Sequence, residues 1–162
     1  MQATLIIRPI GSADNADLAS IIRNALTEFN AHKPGTVYYD ATTDMLYELF
    51  RQPGSIYFVA EENGVLLGGG GIFPTEGLPI GTCELVKMYL RKEARGKGIG
   101  GMLIEKNLDW AKLAGYREVY LETMPELKNA LQVYEHFGFR YLQAPMGNSG
   151  HFGCDLWMSK NL

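Results

Sequence analysis

Cysteine is scarce in this sequence. Cys83 and Cys154 are the only two among 162 residues, and neither stands in a CxxC pair or in a Cys/His cluster with metal-ligand spacing. The expectation is therefore reduced, structural thiols and no metal. Excess positive charge is missing as well: 15 Lys and Arg against 18 Asp and Glu give a formal net charge of −3, a balance that argues against a protein that coats nucleic-acid phosphates. Long apolar runs are also absent. The segment Met1–Pro9 carries no charged leader and is broken at Pro9, so it reads as neither a signal peptide nor a membrane span. A cytoplasmic protein with no nucleic-acid or membrane partner is expected.

What remains is the composition of an ordinary globular chain. Hydrophobic residues at 46% and charged residues at 20% lie near the averages for soluble domains. The length suits one domain spanning residues 1–162, with a core that needs no staples. No internal repeat, linker or low-complexity tract interrupts it.

Leu5–Ile7 reads as a short strand ended by Pro9 and Gly11, with Ser12, Asp14 and Asn15 as candidate helix caps. Leu18, Ile21, Ile22, Ala25, Leu26 and Phe29 recur at helical spacing, and the helix stops before Pro34-Gly35. A second helix is predicted over Asp40–Arg51, with Met45, Leu46, Leu49 and Phe50 as its stripe. Ile56–Ala60 and Val65–Leu67 flank Asn63-Gly64, a strong hairpin signal. The second of these strands continues through Gly68–Gly71, which reads as a kinked strand with close backbone neighbours, since no helix or lysine follows to make a phosphate loop. Thr82–Leu90 is a strand, Gly100–Ala114 a helix with Leu103, Ile104, Leu108 and Ala111 inward, Glu118–Glu122 a strand and Glu126–Phe137 a helix. Two short strands, Phe139–Leu142 and Cys154–Met158, flank a polar loop over Pro145–Gly153. That order predicts a mixed α/β sheet of α+β character rather than a doubly wound one.

Arg95-Gly96-Lys97-Gly98-Ile99-Gly100 lies where a strand gives way to a helix. A helix N-terminus offers free N–H groups and the positive end of a dipole, and glycines let a phosphate approach them. Arg95 and Lys97 add cationic partners. The loop is neither G-x-G-x-x-G on a first βα unit nor a G-K-[ST] phosphate loop.

The stretch Glu84–Leu90 followed by Arg95–Gly101 resembles the acyl-CoA motif of the GCN5-related N-acetyltransferase (GNAT) family. Arg95, Gly98 and Gly100 match its [QR]-x-x-G-x-[GA] signature. A second motif of the family resembles Asn129-Ala130 and Tyr134-Glu135-His136-Phe137-Gly138-Phe139. The resemblance implies a GNAT-like acyl-CoA N-acyltransferase fold, with a splayed central sheet flanked by helices. It further implies acetyl-CoA as donor, lying where the strand ending at Leu90 parts from Glu118–Glu122. Pantetheine would meet the backbone of Met88 and Leu90, and the pyrophosphate the amides of Gly96, Lys97, Gly98, Ile99, Gly100 and Gly101. Tyr134 takes the position of the family's general acid, with a packed core tyrosine as the plain alternative. Glu84 takes that of a general base, with Glu122 on the next strand as the alternative. Tyr89 or Leu90 would give a backbone donor to the oxyanion, and Asn129 would touch the cofactor or order a helix start. His151 is flanked by glycines and reads as a surface histidine that could reach an acceptor.

Acetyl transfer from acetyl-CoA to a primary amine of a small molecule or peptide is the leading function. A non-catalytic acyl-CoA sensor or interaction module is the rival. The acceptor is not legible, and the resemblance admits a homodimer.

Overall fold

The computed structural model describes residues 4–162; Met1–Ala3, the start of the segment read as lacking a leader, lie outside the described residues. The strands are β1 (Leu5–Pro9), β2 (Ile56–Glu62), β3 (Val65–Phe73), β4 (Thr82–Leu90), β5 (Glu118–Thr123), β6 (Arg140–Leu142) and β7 (Leu156–Asn161). They form one sheet in the order β1-β2-β3-β4-β5-β7-β6. The first four are antiparallel neighbours, β4 and β5 run parallel, and β7 inserts antiparallel between β5 and β6. The mixed sheet predicted from the pattern is present. Among the described residues no helix is long and apolar enough to cross a membrane.

Helices α1 (Asn15–Glu28), α2 (Leu46–Leu49), α3 (Ile99–Leu113) and α4 (Lys128–His136) flank the sheet. Successive strand residues point to opposite faces, and β2 shows it. Tyr57 and Val59 pack with Leu18, Ile22 and Leu26 of α1, whereas Phe58 and Ala60 pack with Ile99 and Leu103 of α3. All four residues expected inward on α3 are buried, and Asn107, which the apolar pattern passes over, is buried with them. Its Nδ2 donates to Gly70 O at 3.1 Å, tying α3 to the glycine run of β3.

That run is a strand for a steric reason. A Cβ on Gly68 would lie 2.2 Å from Tyr89 O, one on Gly69 2.6 Å from Phe58 O, one on Gly70 2.4 Å from Met88 Sδ, and one on Gly71 2.6 Å from Ile56 O. At Gly68, Gly69 and Gly71 the neighbouring backbone approaches too closely for any larger residue, and at Gly70 the Met88 side chain fills the space.

The helix expected over Asp40–Arg51 is corrected. Two 3-10 turns, Val37–Tyr39 and Ala41–Asp44, precede a single α turn, Leu46–Leu49. Thr43 Oγ1 donates to Val37 O at 2.7 Å, a side-chain bond that competes with a continuous helix. Asp40 sits between the two turns in extended conformation (φ −67°, ψ 128°), which frees its carboxylate to reach across the domain.

Candidate active site

The site begins where β4 and β5 separate. They pair at Thr82–Glu118, Cys83–Val119 and Glu84–Tyr120, and no further. A bulge drives them apart: β3 and β4 lose register between Gly69 and Gly71, and Lys87 takes a left-handed φ of 53°. A bulge of this kind bends its strand and increases the local twist. Beyond Glu84 the β5-facing edge of β4 is thus open. Arg91 N–H donates to Leu67 O at 2.7 Å on the β3 side, so the alternation of an antiparallel ladder turns Leu90 and Met88 toward the open side and Tyr89 toward β3. Of the two backbone donors weighed for an oxyanion, Tyr89 N–H is thereby directed away from the gap.

A cleft of about 400 Å³ fills this gap, lined by Glu84, Met88, Tyr89, Leu90, Arg95, Gly96, Gly98, Gly100, Gly101, Glu122, Asn129, Tyr134 and His151 among others. Its volume falls in the range of ligand pockets. At one end is the N-terminus of α3. Gly96 and Gly98 have φ of 77° and 80°, and a Cβ on either would meet nothing within 4 Å. Glycine is required there by backbone conformation, with the open side left clear for a ligand. Gly100 and Gly101 have ordinary space, their nearest neighbours being Leu90 Cδ1 at 3.5 Å and Phe137 ring carbons at 3.6 Å.

The two cations expected beside the phosphate differ in their surroundings. The Arg95 guanidinium is already engaged, with Glu28 Oε2 at 2.5 Å, Leu90 O at 3.1 Å and the Phe29 ring at 4.7 Å. It fastens the end of β4 to α1. Lys97 is exposed outside the cleft lining, and the Ile99 side chain packs into the core, so only its amide belongs to the helix entrance. Backbone amides of the α3 entrance face this end of the cleft with no side chain in front of Gly96 or Gly98.

On the opposite wall, Tyr134 is buried, packed edge-to-face on Phe139 with centroids 5.8 Å apart. Burial raises its phenol to about 12, so it stays protonated at neutral pH. Asn129 is exposed on the same wall, one residue inside α4, whose start carries no side-chain cap. The helix-ordering alternative for Asn129 therefore lacks its hydrogen bond.

The other end of the cleft is polar and covered. Glu84 is 3% exposed, and Thr75 Oγ1 donates to its Oε1 at 2.5 Å. Burial, opposed by that bond and reinforced by the charge of Glu122, raises Glu84 to about 7. Glu122 receives Tyr120 OH at 2.7 Å and the Ser149 hydroxyl, and its carboxyl is held below the usual range: burial opposes this, and bonds from His151, Ser149 and Tyr120 outweigh it.

His151 is not a surface residue. Its side chain is 12% exposed, with Nε2 2.6 Å from Asp40 Oδ2 and Nδ1 3.7 Å from Glu122 Oε1. Burial disfavours its charge, but the bonds to the two carboxylates prevail and raise it to about 9, so it is a cation at neutral pH. Asp40 also accepts from the buried Lys87 Nζ at 3.2 Å. Nothing in the local sequence of His151 marks this role beyond a polar side chain in a glycine-containing loop. Its partners lie 111 residues away at Asp40 and on another strand at Glu122. The surrounding loop is fastened across this end by further bonds: Met146 N to Tyr120 OH at 3.1 Å, Asn148 N to Glu76 O at 2.7 Å and Gly153 N to Gly35 O at 2.8 Å.

One donor atom each from Glu84, Glu122 and His151 lie within 4.8 Å of one another. A metal would need the neutral imidazole, whereas both ring nitrogens here face carboxylates that hold the proton. The donor set suits proton chemistry better than ligation.

The chain matches the sequence model of the acetyltransferase (GNAT) family over residues 19–139. It is 38% identical over 159 residues to an uncharacterized N-acetyltransferase of Escherichia coli K12, YjgM, covering 97% of this chain and 95% of that protein. A GNAT-family acetyltransferase structure from Staphylococcus aureus Mu50 superposes with a TM-score of 0.86 at 20% identity, over 98% of this chain and 99% of the other. A Thermoplasma acidophilum N-acetyltransferase structure, in complex with coenzyme A, gives a TM-score of 0.77 at 20% identity over 98% and 99%.

Proposed function

Because this chain belongs to the acetyltransferase (GNAT) family, and is an acyltransferase by that membership, we propose that it moves an acetyl group from acetyl-CoA to a primary amine of a small molecule or peptide, by direct attack in a ternary complex. The observation that carries this reading is one continuous cleft. It joins an open strand edge and an anion-ready helix N-terminus to a buried carboxylate that titrates near neutrality.

In this reading the amides from Gly96 to Gly101 hold the pyrophosphate, and the open backbone of Met88 and Leu90 pairs with the pantetheine amides as a missing strand would. The thioester supplies an activated acyl carbon. Glu84 removes a proton from the incoming ammonium, directly or through water, and the oxyanion of the tetrahedral adduct accepts from a backbone N–H of β4 that faces the gap. As the C–S bond breaks Tyr134 gives its phenolic proton to sulfur, and the surplus proton of the new amide nitrogen restores the phenol, so that CoA leaves as the thiol. Asn129 contacts the cofactor from the rim.

The test is release of the CoA thiol from acetyl-CoA with a panel of primary amines. Release should depend on the amine and yield its N-acetyl product; tight CoA binding with no amine-dependent release across the panel would sink the reading. A base must be unprotonated to act, so kcat/KM should fall as pH drops through about 7, the value to which burial lifts Glu84. Glu84→Gln should abolish that acid limb and cost about 10²-fold at its plateau.

Gly98→Ala tests the donor end. Its left-handed φ of 80° costs a residue with a Cβ about 1–2 kcal/mol, and the empty space around it places the penalty on binding rather than on packing. CoA affinity by calorimetry should weaken about tenfold; an unchanged Kd would remove this loop from the site.

A further inference from the structure

Resting on the reaction proposed above, we propose that His151 is a positioning residue for Glu84: lodged between Asp40 and Glu122, it cancels the second carboxylate facing Glu84 and so leaves Glu84 able to exchange a proton with the acceptor. The argument starts from geometry. Glu84 on β4 and Glu122 on β5 face one another near the last paired rung, and His151 brings a ring nitrogen into the same 4.8 Å cluster. Two carboxylates at this range with no cation between them share a proton, and one is driven strongly toward the neutral acid.

Two cations, His151 and Lys87, act on Glu84, and of these only His151 also reaches Glu122. Lys87 and Cys83 stand on β4, Tyr120 and Glu122 on β5, and Cys154 with His151 on the closing loop; Thr75 contributes a hydroxyl from the β3–β4 loop. Lys87 is buried and bonded to Asp40. Tyr120 donates to Glu122 but carries no charge to offset it. His151 alone among the described groups contacts both Asp40 and Glu122. Held at about 9, it is cationic wherever Glu84, at about 7, changes protonation.

The role also explains why the residue sits on the loop that covers this end. Ser149 donates to Glu122 Oε1 and His151 Nδ1 stands 3.7 Å from the same oxygen, so the loop brings the bond and the cation to Glu122 together. With the loop closed, the carboxylate available to an acceptor ammonium is Glu84.

The test is the pH profile of kcat/KM with one amine. His151→Gln should move the acid limb up by about one unit, a loss of about fivefold at pH 7 that grows toward tenfold below pH 6, with the alkaline plateau nearly kept. Glu122→Gln should move the limb down, and the double variant should return it close to its original position. A loop-only role for His151 predicts a lowered plateau and a raised KM for the amine with the limb unmoved. That result overturns the inference, as does a double variant that keeps the upward shift. Should His151→Gln fail to fold, the Glu122→Gln shift carries the test, and an unmoved limb there overturns it equally. If Glu84→Gln removes the limb while His151→Gln leaves it in place, only the His151 role fails. A limb that survives Glu84→Gln overturns the assignment of the base itself.

Discussion

Phenylalanine in place of Tyr134 is expected to lower kcat by about 10³-fold while CoA affinity stays almost unchanged. The ring is what the core uses: it is 8% exposed and packs edge-to-face on Phe139, and phenylalanine preserves both. The lost atom is the hydroxyl, whose proton burial retains up to about pH 12. A group that weakly acidic does not ionise in the ground state. It stabilises negative charge as that charge develops on the leaving sulfur, which is a contribution to the transition state alone and shows in kcat. Single-turnover acetyl transfer measured beside CoA titration separates the two quantities. Unchanged turnover would return Tyr134 to the core-tyrosine alternative.

The largest effect on stability is expected from Gly68→Ala. The new Cβ would lie 2.2 Å from Tyr89 O and 2.8 Å from Leu90 Cα, both backbone atoms of the strand that edges the cleft. Neither can rotate away, so β3 and β4 must move apart where their register already shifts. Overpacking against side chains costs about 1–3 kcal/mol, and against backbone the cost should reach about 3 kcal/mol or more, near 10 °C in Tm for a chain of this size. Gly100→Ala is the comparison. Its nearest neighbour is a flexible Leu90 methyl at 3.5 Å, and alanine favours a helix, so Tm should hold or rise slightly. Equal Tm for the two variants would contradict this account of the glycine run.

The contrast between these glycines bears on how much the sequence discloses. The bounds of β4, Thr82–Leu90, are legible residue for residue, because alternation and flanking turn residues are local signals. The helix read from Gly100 begins one residue earlier, at Ile99, so its entrance is legible to within a residue, and with it the family. The rival reading as a binding module without chemistry gives way to that family membership. The expected helix over Asp40–Arg51 fails because Thr43 bonds to backbone instead, and that failure places Asp40. Arg95 reads as a free cation until Glu28, 67 residues away, is folded against it. Lys87 in a left-handed conformation has no sequence signature, since lysine tolerates φ > 0 poorly. His151 is the plainest case: its significance lies wholly in what tertiary structure brings to it.

The buried state of Cys154 has a consequence for selectivity. This thiol lines the same cleft as the open edge of β4, where an acyl thioester would be exposed to any competing sulfur nucleophile. Burial, with the carboxylates of Glu122 and Glu84 next in importance, raises Cys154 to about 12. Only the thiolate attacks, and a thiol held this far above neutrality is protonated at pH 7. In the proposed reaction the same low-polarity surroundings that hold Glu84 near neutrality thus make the cleft's own sulfur a poor competitor for the thioester, which favours an incoming amine as the nucleophile.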